Sequence, residues 1–301
     1  MKIASIDIGT NSSRLLIVDY KNKNYNILSQ KLITTRLGEE VDKNKYIKKS
    51  AINRLLAALK VFKKEIERYK VKKVKMVGTS ALRDVSNSSE IKDLIYEKVG
   101  LKLNIIGGLK EAEYTYKGVW LDLPFKNFMI IDIGGGSTEF IWKTNKLNFK
   151  SLDLGAVRLT EKFITDVETE ITNKEKTKIK KFVQKNLKEN INKRLNKTTR
   201  AVGVGGTITT LGTIDLELEE YKRDKIHKYI LKTVNISRIL DKMIHMNLKC
   251  RKKIKGLNPD RADIIVTGVI ILEVILRFFK FNQIIISEND LLFGLIQDFT
   301  G

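Results

Sequence analysis

Residues 6–15 read IDIGTNSSRL, and residues 131–140 read IDIGGGSTEF. In both stretches an apolar strand ends in Ile-Asp-Ile-Gly and enters a turn of small residues with a serine at the matching place. Two more strand-like runs follow in each copy, the last covering residues 24–34 in the first and 146–154 in the second. The four residues Ile-Asp-Ile-Gly alone can match by chance, but the shared order of strand, turn, strand and strand predicts an internal repeat.

The segments around the repeat alternate between strands and helices. From Ser50 to Ile66, apolar residues recur at spacings of three and four, which predicts a helix with one buried face. Similar patterns predict strands over 3–8, 14–19, 25–34, 73–78, 102–106 and 283–287, and a strand that runs into a glycine turn over 200–206. They predict helices over 88–99, 173–195 and from 260 onward. This alternation predicts an α/β fold of mixed sheets flanked by helices.

Length and proline positions indicate two domains. The chain has 301 residues, 42% of them hydrophobic, which is enough for two domains that each bury a core. Only two prolines occur, and Pro124 falls between the two copies of the repeat. We therefore expect domains over residues 1–124 and 125–301, with a hinge near Pro124 and an active-site cleft between them. The last helix could pack back on the first domain.

The charge balance is strongly positive, with 57 Lys and Arg against 35 Asp and Glu and a formal net charge of +22. Such a surplus can steer a polyanion, whether nucleic acid, a phosphate chain or an anionic membrane. It can also be a solvated surface, which the lysine-rich segment 174–197 favours. The apolar run 264–279 contains Glu273 and Arg277 and is too short to span a membrane, so it predicts a buried helix.

Cysteine and histidine are scarce. Cys250 is the single cysteine and cannot form an intramolecular disulfide, and no secretory leader precedes the first strand, so we expect a cytoplasmic protein. His227 and His245 lie in charged, helix-like segments and are expected to be solvated, and Cys250 to be structural. A zinc site of His and Cys ligands has too few candidates, so any bound metal should have oxygen ligands.

Three glycine-rich turns follow apolar strands, and each could cradle phosphate oxygens. Glycine lets backbone N–H groups approach an anion closely, and neighbouring Ser, Thr or Asn side chains add donors. The turns are Gly9-Thr10-Asn11-Ser12, Gly134-Gly135-Gly136-Ser137-Thr138 and Gly203-Val204-Gly205-Gly206-Thr207. None is a P-loop or a dinucleotide-binding fingerprint, because no Gly-Lys-Ser/Thr follows and the first two return into a strand. The pattern predicts phosphate gripped between two hairpins.

Asp7 and Asp132 occupy equivalent places near the ends of the strands that precede the first two turns. Mg²⁺ prefers a few carboxylates together with phosphate oxygens and retained waters, so the pair suits a magnesium site. The alternative for each is an ordinary cap or turn partner. In the hypothesis of a metal site, Glu139 after the second turn completes the ligands, whereas the first repeat has Arg14 in that place.

At these residues the chain resembles the exopolyphosphatase / guanosine pentaphosphate phosphohydrolase family, within the sugar kinase, actin and heat-shock ATPase superfamily. The similarity covers nearly the whole chain, with further matches at residues 77–83, 111–112, 151–160, 203–210, 256–263 and 287–294. It implies a ribonuclease-H-like (actin-like ATPase) domain in each half. It also implies release of the terminal phosphate of inorganic polyphosphate or guanosine pentaphosphate (pppGpp), with Mg²⁺, or alternatively Mn²⁺, as cofactor.

In this resemblance Glu111 matches the catalytic carboxylate that activates water, a group that phosphoryl transfer needs besides charge neutralisation. The family usually has a second acid just before this residue and an arginine two residues after it, where this chain has Lys110 and Glu113. That change bears on substrate preference and rate. Arg83, after a Gly-Thr-Ser turn, is expected to bind phosphate, with pairing to Asp84 or to a helix end as the alternative.

Two other functions stay open: a sugar or acetate kinase relative, and a non-catalytic sensor of polyphosphate or guanosine tetraphosphate. The segment around Glu111 and the run 151–158 match the hydrolase branch instead. Arg158 is a further candidate cation, with a helix cap near Leu159 as its alternative. The resemblance also implies a homodimer and guanosine tetraphosphate as a regulator. We expect neither a membrane nor a specific nucleic acid as partner, and assign only a minority of the lysines to guiding a phosphate chain.

Overall fold

The computed structural model describes residues 1–21, 24–123, 125–191 and 199–300, and the chain divides into two compact units. The first unit consists of Met1–Asp122 together with Asn289–Gly301, and the second of Leu123–Glu288. Pro124, where the sequence predicts the hinge, lies outside the described residues, as does the end of the lysine-rich segment at 192–197.

The elements of the described residues follow the predicted alternation. The strands are β1 (Lys2–Ile8), β2 (Ser12–Lys21), β3 (Asn24–Thr34), β4 (Lys73–Gly78), β5 (Leu103–Ile105), β6 (Phe128–Ile133), β7 (Thr138–Lys143), β8 (Leu147–Leu152), β9 (Arg200–Val204), β10 (Ile230–Lys232) and β11 (Gln283–Ile286). The helices are α1 (Val41–Asn44), α2 (Lys49–Arg68), α3 (Ser80–Arg83), α4 (Ser88–Val99), α5 (Gly108–Trp120), α6 (Ala156–Phe163), α7 (Asn173–Asn190), α8 (Gly206–Asp215), α9 (Arg223–Ile226), α10 (Thr233–Ile244), α11 (Leu248–Arg251), α12 (Ile265–Phe279) and α13 (Leu291–Gln297). The helix predicted from residue 260 starts later, at Ile265, because a 3-10 turn at Pro259–Arg261 comes first.

The sheet of the first unit has the strand order β3-β2-β1-β4-β5. β1 pairs antiparallel with β2 and parallel with β4, so it runs through the middle. Because side chains alternate along a strand, Ile6 and Ile8 pack on the face covered by α2, and Ile3 packs on the face covered by α13. The apolar stripe predicted from Ser50 is the buried face of α2, confirmed by the full burial of Leu55, Leu59 and Phe62.

The last helix, α13, belongs to this first unit and packs closely on α5. A side chain at Gly118 in α5 would lie 1.9 Å from the carbonyl oxygen of Asp290. A side chain at Gly294 in α13 would lie 1.9 Å from the carbonyl oxygen of Tyr114. The two helices therefore meet at backbone distance, and glycine is required at both crossing points.

Asp298 holds the far end of α13 in place. Its carboxylate accepts hydrogen bonds from Lys75 and from the Tyr114 hydroxyl, the latter at 2.5 Å, and pairs with Lys117 at 3.3 Å. Burial alone would raise the pKa of Asp298, but the hydrogen bonds from Lys75 and Tyr114 outweigh it and lower the pKa from 3.8 to about 2.

The sheet of the second unit has the strand order β10-β11-β9-β6-β7-β8. β6 pairs antiparallel with β7 and parallel with β9, which repeats the arrangement of β1 with β2 and β4. The predicted buried helix is α12, whose residues from Ile265 to Leu276 are all buried. The two sheets flanked by helices confirm the predicted α/β class.

One charged residue of α12 is compensated from the lysine-rich helix α7. Glu273 is buried, its Oε2 lies 2.7 Å from the Lys180 ammonium, and its Oε1 accepts a hydrogen bond from Ser237 at 2.9 Å. Burial alone would raise the pKa of Glu273, but the hydrogen bonds from Lys180 and Ser237 outweigh it and lower the pKa. The prediction of a purely solvated lysine surface is therefore wrong for Lys180.

A fully buried arginine ties loops of the second unit together. The Arg251 guanidinium donates to the carbonyls of Val167 and Thr169 at 2.7 and 2.8 Å, and to those of Met246 and Ala262 at 3.1 Å. Burial lowers the pKa of Arg251. Four carbonyl partners take the place of the water that this charge gives up.

The two histidines and the cysteine of the second unit differ in exposure. His227 is half-buried, and its Nδ1 accepts a hydrogen bond from the backbone N–H of Glu288 at 3.0 Å, so the prediction of a solvated side chain is wrong there. His245 and Cys250 are exposed. Among the described residues, no helix has both the length and the apolar character needed to cross a bilayer.

We expect Asp298→Asn to lower the free energy of unfolding by about 1 kcal/mol at neutral pH. The folded-state pKa of Asp298 lies below its usual value, so the stability it contributes is present above about pH 4 and is lost as the pH falls toward 2. Urea unfolding from pH 7 down to pH 2 should therefore show the two proteins converging in acid. A gap that persists at pH 2 would contradict this account.

We expect Arg251→Met to lower the free energy of unfolding by about 3 kcal/mol, because it leaves several buried carbonyls without a donor. Lys252→Met, a change at the exposed neighbour, should shift it by less than about 0.5 kcal/mol. Urea denaturation of both variants measures the difference. Equal losses would show that the buried hydrogen bonds of Arg251 are not what stabilises the second unit.

Candidate active site

The first glycine turn joins β1 to β2 and is closed by a hydrogen bond from the N–H of Gly9 to the carbonyl of Ser12 at 3.1 Å. The loop 35–38 holds one side of the turn, since its N–H groups donate to the carbonyls of Thr10 and Asn11 at 2.8–3.0 Å. The C=O and N–H groups of a trans peptide point in opposite directions. The N–H groups that follow these two carbonyls therefore point away from the loop.

The second turn, between β6 and β7, is built in the same way. Gly134 donates to the carbonyl of Ser137 at 3.0 Å, as Gly9 does to Ser12. The first N–H groups of α6, from residues 156–158, donate to the carbonyls of Gly134 and Gly135 at 2.9–3.1 Å. By the same peptide geometry, the N–H groups of Gly135 and Gly136 point away from α6.

Close packing holds this second turn against α6. A side chain at Gly155, the residue before α6, would lie 2.1 Å from the carbonyl oxygen of Gly135. The hydroxyl of Thr138 is buried and donates to the carbonyl of Leu154 at 2.6 Å. Thr138 is thus used inside the unit, although the sequence predicted it as a phosphate ligand.

The third turn links β9 to α8 and contacts two charged side chains. A side chain at Gly205, where φ is +86°, would lie 2.5 Å from Oδ1 of Asp132, so this carboxylate lies directly against the turn. A side chain at Gly206 would lie 1.9 Å from a guanidinium nitrogen of Arg261. Thr207, the last predicted phosphate ligand of this turn, is buried beneath α12.

The charged residues of the repeat stand in equivalent register. Asp7 lies opposite Arg14 between β1 and β2, and Asp132 lies opposite Glu139 between β6 and β7. Glu139 is buried, and its Oε1 accepts a hydrogen bond from the Ser151 hydroxyl at 2.7 Å. The same backbone position therefore carries a cation in the first unit and a carboxylate in the second.

Arg14 lies between two buried carboxylates of the first unit. Its Nε and Nη2 donate to Oδ2 of Asp7 at 3.1 and 2.7 Å, and its Nη1 donates to Oδ2 of Asp290. Burial raises the pKa of Asp7, although the charge of Arg14 opposes that effect. Oδ1 of Asp7 is buried and has no hydrogen-bond partner in the part of the chain that the structure describes.

These carboxylates can be tested as magnesium ligands. The unpartnered Oδ1 of Asp7 has the character that a hard, oxygen-seeking cation requires. The first unit supplies Asp7 of the expected set, and the second supplies Asp132 with Glu139. Over the described ranges, no three His, Cys, Asp or Glu side chains form a ready-made metal cluster. The donor chemistry fits Mg²⁺ bound jointly with substrate oxygens, since this ion keeps few protein ligands.

Glu111 lies in the first turn of α5, where the helix dipole favours a carboxylate. Its Oε2 accepts a hydrogen bond from Nη1 of Arg83 at 2.9 Å, and the same nitrogen donates to the carbonyl of Ile106 at 3.0 Å. Both side chains are largely buried, at 15% and 26% exposure. The structure thus brings the predicted catalytic carboxylate and the predicted phosphate-binding arginine together, and Asp84 is not the partner seen.

The two residues that depart from the family pattern pair with each other. The Lys110 ammonium lies 2.9 Å from Oε2 of Glu113, one turn along the exposed side of α5. This hydrogen bond raises the pKa of Lys110. The added acid next to Glu111 is therefore neutralised locally. Arg158, the other candidate cation, lies within α6 and is 3.5 Å from Asp153.

Sequence reasoning missed three residues of these sites: Asp290, Arg261 and Ser151. Asp290 precedes the apolar run of α13, and this pattern signals a helix N-cap but nothing about Arg14. Asp290, Arg261 and Ser151 all fall in segments that carry the family resemblance, and for Arg261 and Ser151 this was the only signal. Their contacts with the third turn and with Glu139 depend on tertiary packing.

Two α/β units, each with an aspartate followed by a glycine turn between antiparallel strands, define a protein of the two-domain actin-like class. The sequence model of the Ppx/GppA phosphatase family matches residues 16–299. The chain belongs to this family and is thereby placed among phosphatases, a class of hydrolases. The family resemblance and the fold expected from the sequence are confirmed.

Solved structures agree with this assignment. The Aquifex aeolicus member of the Ppx/GppA family superposes with a TM-score of 0.83 at 30% identity, covering 100% of this chain and 97% of that one. An exopolyphosphatase from Cytophaga hutchinsonii superposes with a TM-score of 0.90 at 28% identity, covering 99% and 97%.

Curated relatives point to the same family. Exopolyphosphatase 2 of Mycobacterium tuberculosis is 29% identical over 100% of this chain and 99% of its own length. A bifunctional 3-dehydroquinate synthase/phosphatase of Fusobacterium nucleatum is 40% identical over 97% of this chain. This chain spans only 46% of the length of that bifunctional relative.

Gly155→Ala should lower the free energy of unfolding by about 2 kcal/mol, because the added carbon meets the backbone of the second turn. Gly107→Ala is the matched control. Gly107 also has an extended backbone and directly precedes a helix, but a carbon added there would meet no atom of the described residues within 4 Å. That control should change stability by less than about 0.5 kcal/mol. Urea unfolding of both variants is the measurement, and equal effects would contradict the close contact.

Proposed function

We propose that the chain is an exopolyphosphatase that releases terminal orthophosphate from inorganic polyphosphate, with pppGpp as a second substrate. The observation that carries this proposal is the repeated turn. In each unit an aspartate precedes a glycine turn whose carbonyls are held inside the unit and whose N–H groups point to the other side. Such rows of N–H groups bind phosphate oxygens. The relatives named as exopolyphosphatases support the same substrate.

The phosphate ligands in this proposal come from all three turns. Backbone N–H groups and short side chains would hold the chain of phosphates, in the segments Gly9–Ser12, Gly134–Thr138 and Gly205–Thr207. Arg83 would add a cation, because a guanidinium can bind two phosphate oxygens at once. The buried hydroxyls of Thr138 and Thr207 would then support the turns more than touch the substrate.

The reaction in this proposal is attack of water on the terminal phosphorus. Glu111 orients the water and accepts its proton as the new P–O bond forms. The phosphoanhydride bond breaks, and its electron pair leaves with the shortened phosphate chain. Glu111 suits this task because Arg83 holds its carboxylate at 2.9 Å while 15% of the side chain stays exposed.

Mg²⁺, or Mn²⁺ in its place, would be held by Asp7, Asp132 and Glu139. When bound, the ion supplies positive charge that offsets the charge of the phosphate oxygens. Hydrogen bonds orient two of these ligands: Arg14 orients the carboxylate of Asp7, and the Ser151 hydroxyl orients that of Glu139.

A kinase relative and a non-catalytic sensor are the alternative functions. The pairing of Lys110 with Glu113 removes the repulsion of phosphate that the added acid would otherwise cause near Glu111, and it is compatible with either a catalytic protein or a sensor. Four expectations from the sequence or the resemblance stay predictions. They are a cleft between the domains, a homodimer, regulation by guanosine tetraphosphate and a cytoplasmic location.

Glu111→Gln should reduce release of orthophosphate from long-chain polyphosphate by about 10²–10⁴-fold, because the amide cannot accept the proton of water. Free phosphate is measured with polyphosphate, with pppGpp, and with ATP plus sugars, each in the presence of Mg²⁺. Glu113→Gln is the control on the same helix and should keep most of the wild-type rate, since Glu113 is exposed and paired with Lys110.

Each outcome of this assay decides between functions. Full activity of the Glu111→Gln variant would remove Glu111 from its proposed role. Binding of polyphosphate by the wild type without any phosphate release would favour the sensor. Transfer of phosphate from ATP to a sugar would favour the kinase relative.

A further inference from the structure

Asp290 is a buried carboxylate at the start of α13 that has no role in the proposed reaction. Its side chain is 9% exposed, and it lies at the start of α13, where its Oδ1 accepts a hydrogen bond from the N–H of Leu292 at 3.0 Å. Its other oxygen, Oδ2, accepts a hydrogen bond from Nη1 of Arg14. Both carboxylate oxygens are engaged, so the orientation of Asp290 is fixed by the backbone of α13 on one side and by Arg14 on the other.

Arg14 transmits that fixed orientation to Asp7. The guanidinium is planar and rigid, so with Nη1 held by Asp290, its Nε and Nη2 are aimed at Oδ2 of Asp7. Asp7 is left with one oxygen bound and the other, Oδ1, buried and unpartnered among the described residues. The side chain of Asp7 is only 8% exposed, which makes the lack of a partner for that oxygen costly.

The charges of this group also favour a cation. Two carboxylates, Asp7 and Asp290, share the single guanidinium of Arg14, so the group keeps a net negative charge. If Asp290 carried no charge, Arg14 would neutralise Asp7 completely. The second carboxylate therefore leaves Asp7 with negative charge for a metal ion, while the shared guanidinium sets the direction of its free oxygen.

We propose that Asp290 is a positioning residue for the Mg²⁺ ligand Asp7, acting through Arg14 by fixing its orientation and sharing its charge. This inference rests on the proposed function in that it takes the cation at Asp7 to be the Mg²⁺ of the phosphatase reaction. It adds to that function a residue from the last element of the chain. Asp290 itself does not contact the metal, the substrate or the reacting water.

Two variants of Asp290 separate its charge from its role as a helix cap. Asp290→Asn removes the charge but keeps an oxygen that can cap α13, because Asn is as good an N-cap as Asp. Asp290→Glu keeps the charge but is a poor cap. Asp298→Asn, at the other end of α13, is the matched control for loosening of that helix, since Asp298 anchors it without contacting Arg14.

Binding of Mg²⁺ is measured by calorimetric titration of each folded protein with MgCl₂ in the presence of saturating inorganic phosphate, and phosphate release from polyphosphate is followed across the same range of MgCl₂. We expect Asp290→Asn to weaken Mg²⁺ binding by about 10–100-fold and to raise the Mg²⁺ concentration for half-maximal activity equally. Asp290→Glu keeps the charge shared with Arg14 and should lose clearly less Mg²⁺ affinity than Asp290→Asn, although thermal unfolding should show it to be less stable. Asp298→Asn should leave Mg²⁺ binding unchanged. Asp290→Ser, also a neutral cap, takes the place of Asp290→Asn if that variant does not fold.

The outcomes distinguish this inference from the proposed function. Wild-type Mg²⁺ binding in Asp290→Asn, an equal loss in Asp290→Glu or in Asp298→Asn, or no Mg²⁺ binding by the wild type would each overturn the inference. If the expected binding pattern appears but the wild type releases no phosphate, the proposed function fails and the role of Asp290 stands.

Discussion

Arg14 shares its guanidinium between the buried carboxylates of Asp7 and Asp290, and this ion pair joins the first hairpin of the chain to its last helix. Buried charges are stable only when they are compensated, so each of the three residues depends on the others. α13, held at its start by this pairing, covers one face of β1 and β2 and packs against α5, which carries Glu111. One cation of the first unit therefore links Asp7 to the helix that packs on α5.

The second unit uses the same backbone with different chemistry. Its hairpin has Glu139 where the first has Arg14, and a hydroxyl of the neighbouring strand, that of Ser151, is its partner. The first hairpin therefore carries its own cation opposite Asp7, whereas the second has two carboxylates, Asp132 and Glu139. The duplicated architecture supplies matching glycine turns, and the substituted position gives the two units different charges beside them.

Local patterns predicted the elements well, because periodic spacing determines which face of a strand or helix is buried. The turns and the equivalent aspartates could also be predicted, since they follow from the repeat. The pairing of Arg83 with Glu111, of Asp290 with Arg14 and of Lys180 with Glu273 could not be predicted. These partners lie far apart in sequence, and their choice depends on how helices pack against the sheets. Composition shows how many lysines exist, but not which one compensates a buried acid.

Because α13 covers one face of the first sheet, the order of synthesis affects how the first unit folds. The apolar face formed by Ile3, Leu16 and Val18 is synthesised first, whereas Phe293 and Ile296, which cover it, are synthesised only after the whole second unit. α2 follows the first hairpin closely and can cover the opposite face early. During translation the first unit is therefore a sheet with one side exposed, the kind of surface that associates with other chains or with chaperones. The second unit can complete its fold while the first still waits for its last helix.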